Sequence, residues 1–319
     1  MSQQLKKIFI FLDTDKHASP FDILTTIDIL PDAAILKYED VTVEESASIV
    51  YDAMFPRGPD GAKHTKIFIN GRDFQKVNAI LEKLKSCMFP PFELAVLVDP
   101  RGAYTTASAA VAKTLQLSLD RGLGSLDNRH VTILGGTGPV GQTAARLYAA
   151  EGANVLVTSR SLQKAASVAT EINGEYAGEK VKGAEVKTPE EAGKALQSSE
   201  IILSAGAAGV QLLSLDTLKK YGKNCNVVAD INAISPLGVE GLDPNADGKE
   251  VLPHISGVGS LAIGKLKNKV EAELIRKVAG EPKGIFDYKA AYEIAKKYAT
   301  KKSPEKKTVE VEQPKYWLP

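Results

Sequence analysis

The sequence predicts an α/β protein built of two successive α/β units. Three observations carry that prediction. Short apolar runs alternate with helix-like stretches from Lys7 to Asp230, the rhythm of strands and the helices that cover them. The 319 residues suffice for about two domains, and a hydrophobic content of 44% supports sizeable cores. A glycine-rich turn, Gly135 to Gly141, lies between an apolar run and a helix-like segment, which marks the second unit as Rossmann type.

In the first unit, Lys7 to Leu12 reads as a buried parallel strand. It ends in the polar loop Asp13-Thr14-Asp15-Lys16-His17-Ala18-Ser19-Pro20-Phe21-Asp22, where Ser19-Pro20 signals a helix start. Ligands of open α/β sheets bind beyond the carboxyl ends of strands, so this loop is a candidate site wall. The same residues read equally well as an ordinary capped turn. Residues 22–30 predict a helix, 33–38 a short strand and 42–54 a second helix. Arg57 to Gly61 reads as a loop. A strand at 66–71, a helix at 74–85 and a strand at 93–99 complete the unit, the last running into Pro100-Arg101-Gly102. Tyr104-Thr105-Thr106 opens a helix to about residue 119, with Val111, Leu115 and Leu119 on one face. It reads as the connector between domains.

The second unit starts with Val131-Thr132-Ile133-Leu134, followed by Gly135-Gly136-Thr137-Gly138-Pro139-Val140-Gly141 and a helix-like run over 142–150. Strand, glycine turn, helix is the setting in which G-x-G-x-x-G signifies dinucleotide binding. Gly136, Gly138 and Gly141 fill its three places. The first permits the tight turn, the second admits a pyrophosphate, and the third lets helix and strand pack closely. An NAD site places Asp or Glu about 20 residues further on. Here that place holds Thr158-Ser159-Arg160-Ser161, with Lys164 one turn later. Hydroxyls and two cations suit a 2′-phosphate, so the sequence predicts NADP, with NAD a weaker second. Strands at 154–158, 200–204 and 226–230 and a helix at 163–172 continue the rhythm. The last two strands end in small residues that let a ligand approach the backbone, which adds Ser204, Ala205, Gly206, Asp230 and Asn232 to the candidate site.

A further glycine-rich segment, Ser256 to Gly264, leads into a long helix to about residue 278, and a second helix is predicted over 288–298. Ile263, Leu266, Val270 and Leu274 share one helical face. Lys267 falls within it, while Lys265 and Lys269 project away. A lysine on an apolar stripe is costly unless it reaches a partner or the water of a cleft. It either snorkels at the core edge or points into an interdomain cleft. The tail from Thr300 to Pro319 has a disordered composition, yet Thr308 to Glu312 alternates like a strand and Tyr316-Trp317-Leu318 is apolar. It is expected to pack on the body or on a neighbouring subunit.

Charge is balanced, with 40 Lys and Arg against 39 Asp and Glu, so no basic field points to nucleic acid or an anionic membrane. The polar start, Met1 to Lys7, has no signal-peptide character, and no apolar stretch approaches the roughly 18 residues of a bilayer span. Cys87 and Cys225 are far apart and suggest no disulfide framework. A cytoplasmic location is expected. The four histidines, His17, His64, His130 and His254, lack metal-ligand spacing, and no metal site is predicted.

Together these segments resemble the methylene-tetrahydromethanopterin/methylene-tetrahydrofolate dehydrogenases of methylotrophic bacteria. The resemblance runs from about residue 7 to 298. It rests on Lys16 to Asp22, Pro91-Phe92, Gly102 to Thr106, Gly136 to Gly141, Ser204-Ala205-Gly206, Ala229 to Ala233 with Pro236-Leu237-Gly238, and Gly259 to Lys267. The Ser19-Pro20-Phe21-Asp22 and Asp230-x-Asn232-Ala233 segments are its most specific parts. It implies a pterin domain over 1–105 plus 262–319, a Rossmann NADP domain over 106–261, and C-terminal helices that return to the first domain. It also implies a substrate held between them and Lys267 in the active site. Hydride transfer from a one-carbon bridge needs no general base, metal or covalent intermediate. A cationic product favours nearby carboxylates, which makes Asp22 and Asp99 catalytic candidates. Asp13, Asp15, Lys16, His17, Ser19, Phe21, Tyr104, Thr105 and Asn232 form the substrate-binding set. A homo-oligomer is implied, a trimer first among them. The rivals are tetrahydrofolate as main substrate, a shikimate-type dehydrogenase, and a non-catalytic NADP-binding regulator.

Overall fold

A computed structural model describes residues 5–176 and 178–300. The chain opens with β1 (Ile8–Asp13), α1 (Pro20–Ile29), β2 (Ala34–Tyr38), α2 (Val43–Met54), α3 (Gly58–Ala62), β3 (Thr65–Asn70), α4 (Phe74–Cys87), β4 (Ala95–Val98) and α5 (Ala103–Asp120). Helix starts obey capping chemistry. Ser19, Thr42 and Asp73 each accept a backbone N–H of the first turn, and Thr42 with Glu45 forms a reciprocal capping box. The segment at 57–61, expected as loop, winds instead into α3, because Pro59 at the first turn already has a helical φ.

There follow β5 (His130–Leu134), α6 (Pro139–Ala150), β6 (Asn154–Ser159), α7 (Leu162–Glu175), β7 (Val181–Glu185), α8 (Pro189–Leu196), β8 (Ile201–Ser204), α9 (Leu215–Tyr221), β9 (Val227–Asp230), β10 (Asp247–Leu252) and β11 (Ile255–Val258). Then come α10 (Ser260–Gly280), β12 (Gly284–Phe286) and α11 (Tyr288–Thr300). The elements β7, α8, α9, β10, β11 and β12 carry too few apolar residues to stand out in sequence. The segments of the tail discussed above lie outside the described residues.

The first sheet has the order β12-β4-β3-β1-β2, and all its pairings are parallel. The second has the order β10-β11-β9-β8-β5-β6-β7, parallel except for the β10–β11 edge. The α/β architecture expected from sequence is thus observed. In β1, alternation sends Ile10 and Leu12 to a core with α2 and α4. Phe9 and Phe11 face the opposite core, which runs through α5, α10 and α11 to the second sheet. Helix α5 is buried along most of its 18 residues, with Ala107, Ala109, Ala110 and Ala112 permitting close approach from several sides. Buried Lys66 on β3 donates to the carbonyls of Lys63 and Glu281, pinning the end of α10 to the first sheet.

Leaving aside the antiparallel β10–β11 edge, each sheet has one place where chain order reverses. In the first, β1 and β3 are neighbours and their ends bring Asp13 opposite Asn70. In the second, β5 and β8 are neighbours and bring Leu134 opposite Ser204. Such switch points open a crevice at the carboxyl ends of the strands, and both candidate sites lie there.

Candidate active site

The second-sheet crevice is a cleft of about 640 Å³. The lining includes Thr137, Gly138, Pro139, Val140, Ser159, Arg160, Ser161, Lys164, Ala205 and Gly206. Glycine roles differ in one respect from the sequence expectation. The left-handed turn residue is Gly135, at φ +67°, rather than Gly136. A Cβ on Gly135 would meet the Gly206 Cα at 3.0 Å, so two strand ends touch through glycines. Gly136 and Gly141 pack on each other below the cleft, where a Cβ on Gly141 would stand 2.6 Å from the Gly136 Cα. At Gly138 an added Cβ would meet only the Gly135 carbonyl, at 4.0 Å. This position faces open space, at the start of a helix with Pro139 at its first turn and no side-chain cap. Free amides at a helix N-terminus are an anion cradle, so the residues present fit a dinucleotide pyrophosphate.

Ser161 caps α7 and holds the Ser159–Arg160–Ser161 turn at the cleft edge. Arg160 and Lys164 are exposed there. Ser204, Asp230 and Asn232, expected among the cofactor contacts, lie below the lining instead. Asp230 accepts the Asn232 and Val239 amides at 3.1 Å each, and burial raises its carboxyl pKa above the usual range. Asn232 accepts from the Gly209 and Ile234 amides and donates to the Pro236 carbonyl. The Asp230 and Asn232 side chains thus shape the loops behind the cleft through backbone partners, while the buried Ser204 Oγ has no hydrogen-bond partner.

The first-sheet crevice is a cleft of about 330 Å³ lined by Ser19, Phe21, Asp22, Arg101, Gly102 and Lys267. Asp22 is buried and accepts from Asn70 Nδ2 at 2.6 Å. Asn70 Oδ1 in turn accepts the Gly71 and Arg101 amides at 2.7 and 2.8 Å. Arg101 sits at φ 48°, ψ 41°, a left-handed conformation that costs a non-glycine residue about 1–3 kcal/mol. Its guanidinium holds it there, forking onto Asp15 and reaching the His17 carbonyl at 3.0 Å. Burial works to raise the Asp15 pKa, but the Arg72 amide and Arg101 outweigh it and leave the carboxyl below its ordinary value. Asp13 is fully buried and accepts the Asp15 and Ser19 amides. Desolvation raises its pKa despite those bonds and Arg101.

Lys267 reaches this cleft from α10. Its ammonium lies 4.4 Å from the Phe21 ring centroid and pairs with Glu271 one turn along the helix. Gly102, at φ +72°, makes room for it: a Cβ there would stand 3.2 Å from Lys267 Cε. Asp99 lies nearby, wholly buried, and accepts from Thr105 Oγ1 at 2.6 Å and from the Tyr104 amide at 2.8 Å. Burial, opposed by Lys267 and Thr105, pushes its carboxyl up to about 6. Burial likewise raises Glu271, with Asp99 and Asp22 adding and Lys267 opposing.

Other members of the expected substrate set are placed differently. Lys16 and His17 project to solvent. Tyr104 is buried, hydrogen-bonded to Asn78 at 2.7 Å, and packed edge-on against Phe74 and Tyr288. Thr105 is occupied by Asp99. Both support the site from behind, because a helix starting at Ala103 turns them inward. Three site residues escaped the sequence reading: Asn70, Arg101 as a charged anchor, and Glu271. Only Glu271 left a signal, an acid four residues after Lys267 on the same apolar stripe.

Two parallel-sheet units, a glycine-cradled cleft and a buried charged cleft define a nucleotide-dependent dehydrogenase of two α/β halves. Residues 20–101 match the family described as methylene-tetrahydromethanopterin dehydrogenase, N-terminal. Residues 118–234 match shikimate/quinate 5-dehydrogenase. The chain is 32% identical over 299 residues to the NAD(P)-dependent methylenetetrahydromethanopterin dehydrogenase of Methylorubrum extorquens, covering 91% of this chain and 98% of that one. It is 33% identical over 296 residues to the bifunctional protein MdtA of the same organism, covering 92% and 99%. The chain belongs to the methylene-tetrahydromethanopterin dehydrogenase family. Among solved structures, 5-ketofructose reductase of a Gluconobacter species superposes with a TM-score of 0.50 at 14% identity, covering 93% of this chain and 100% of that one. Ornithine carbamoyltransferase from Pyrococcus furiosus does so at 0.50 and 13%, covering 85% and 84%. These two likenesses concern fold alone.

Proposed function

We propose that the protein is an NADP-dependent methylene-tetrahydromethanopterin dehydrogenase, oxidising the methylene bridge to the methenyl cation. The observation that carries this reading is the cluster of Asp22, Asp99 and Glu271 around the single ammonium of Lys267. A site with more carboxylates than cations favours a substrate that becomes positive as it reacts. NADP, when bound, accepts the hydride. The glycine turn and the α6 N-terminus would hold its pyrophosphate, and Ser159, Arg160, Ser161 and Lys164 its 2′-phosphate.

The protein's own work is to bind, orient and exclude water. Fixing two reacting carbons in contact contributes about 7–11 kcal/mol. Phe21 offers an apolar face and Asp22, fixed by Asn70, a rigid acceptor. We assign residues 1–105 and 262–319 to the pterin half and 106–261 to the cofactor half. A cytoplasmic homo-oligomer completes the reading; no helix among the described residues is long and apolar enough to cross a membrane. The test is NADP reduction followed by absorbance with methylene-tetrahydromethanopterin and methylene-tetrahydrofolate in turn. Faster turnover of the folate substrate would reverse the pterin assignment. NADP binding without turnover of either would leave a regulator.

A further inference from the structure

We propose that Glu271 is a positioning residue that acts on the reaction through Lys267; the inference rests on the pterin-dehydrogenase reading of the cleft. Both residues stand on the buried face of α10, one turn apart, with side chains 11% and 3% exposed. Oε2 of Glu271 accepts from the ammonium, while Oε1 is buried without a partner. Val270, Leu274 and Ile275 continue the same face as ordinary core residues.

A carboxylate here is a poor device for stability. Replacing buried ion pairs with apolar residues is often neutral or stabilising, and this one lies in the field of two further acids, Asp99 after β4 and Asp22 on α1. Its effect is directional. The lysine stem has four rotatable bonds, Asp99 and Asp22 add their fields nearby, and Glu271 is the carboxylate that pairs with the ammonium. The bond to Glu271 fixes the ammonium against the Phe21 ring and Gly102 at the wall of the cleft. Glu271 thereby decides where the Lys267 charge stands, in a cleft that Arg101 also lines, while a further positive charge appears on the substrate. Lys267, Asp99 and Asp22 are the charged groups that face it, from α10, the end of β4 and α1 respectively.

The experiment is a double-mutant cycle on the full chain, with E271Q, K267A and the pair, assayed with NADP and methylene pterin from pH 5 to 9. We expect E271Q to melt no lower than wild type, to keep its KM for NADP, and to lose about tenfold in kcat/KM for the pterin. The acid limb of its pH profile should move, because a titrating neighbour of Asp99 is gone. In the K267A background E271Q should cost less than twofold. Equal losses in both backgrounds would mean that Glu271 acts independently of Lys267 and would overturn the inference. So would an E271Q enzyme indistinguishable from wild type at every pH. A wild-type chain that turns over no methylene pterin would sink the functional reading first, and this inference with it.

Discussion

The two crevices occupy equivalent places in their sheets and are built by opposite means. The second-sheet cleft is made largely by leaving side chains out: Gly135, Gly138 and Gly206 expose backbone to a ligand. The first-sheet cleft is made by crowding charge in: Asp13, Asp22, Asp99, Lys267 and Glu271 are all buried. A phosphate-rich cofactor is bound well by amides and solvent-facing cations, which tolerate water. A reacting carbon needs fixed charges in a dry place, where each interaction is stronger and each misplacement costs more.

Substitutions can break this contrast. The largest effect is expected from Lys267→Ala, a loss of about 100-fold in kcat/KM for the pterin, roughly 2.7 kcal/mol, with KM for NADP within twofold of wild type. A loss under tenfold would reduce Lys267 to a minor contact. Gly141→Val should act in the other crevice alone. Its Cβ cannot fit 2.6 Å from Gly136, so α6 must shift, and NADP affinity measured by titration should fall about thirtyfold. Pterin-site variants that weakened NADP equally would erase the distinction between the clefts. Arg160→Ala should lower the preference for NADP over NAD about tenfold, read from the ratio of the two kcat/KM values.

The smallest effect sharpens the energetics of the crowded cleft. The Asp99 carboxyl, pushed up to about 6 from 3.8, binds its proton more tightly in the folded than in the unfolded chain. Its contribution to stability is complete below pH 4 and is lost as the pH rises through 6. Asp99→Asn should remove that dependence and raise the melting temperature at pH 7 by a few degrees. A variant that melts lower at pH 7 would mean that the ionised carboxylate stabilises the fold.

The same contrast explains what the sequence could tell. The cofactor cleft is local: Gly135 to Gly141 and Ser159 to Lys164 lie within 30 residues, and strand, turn and helix announce it. Within it, the left-handed residue is Gly135, a position that two adjacent glycines leave open in the sequence. The other cleft gathers Asp13, Asp22, Asn70, Asp99 and Lys267 from five separate elements or their ends. The apolar stripe of the late helix marks Lys267 as either a core-edge or a cleft residue and the family resemblance selects the cleft, whereas nothing in the local pattern foretells that Asn70 orients Asp22. Tyr104 and Thr105 follow Arg101 and Gly102 of the cleft lining in sequence, yet the inward turn of α5 puts them behind the wall. The alternation of strong apolar runs made the central strands legible, while the weakly apolar edge elements β7, β10 and β12 were not.

Strand β12 pairs with β4 across about 190 residues of chain, Gly284 facing Ala95. A ribosome therefore completes the second sheet, which ends at Val258, before it supplies the last strand of the first. Until then the edge of β4 stands open and hydrogen-bond hungry, and the buried face of α5 awaits α10 and α11. Lys267 is synthesised in that same late stretch, so the charged cleft acquires its only α10 cation as the first sheet closes. A nascent chain stalled before residue 260 can thus hold a cofactor cradle and no reaction site.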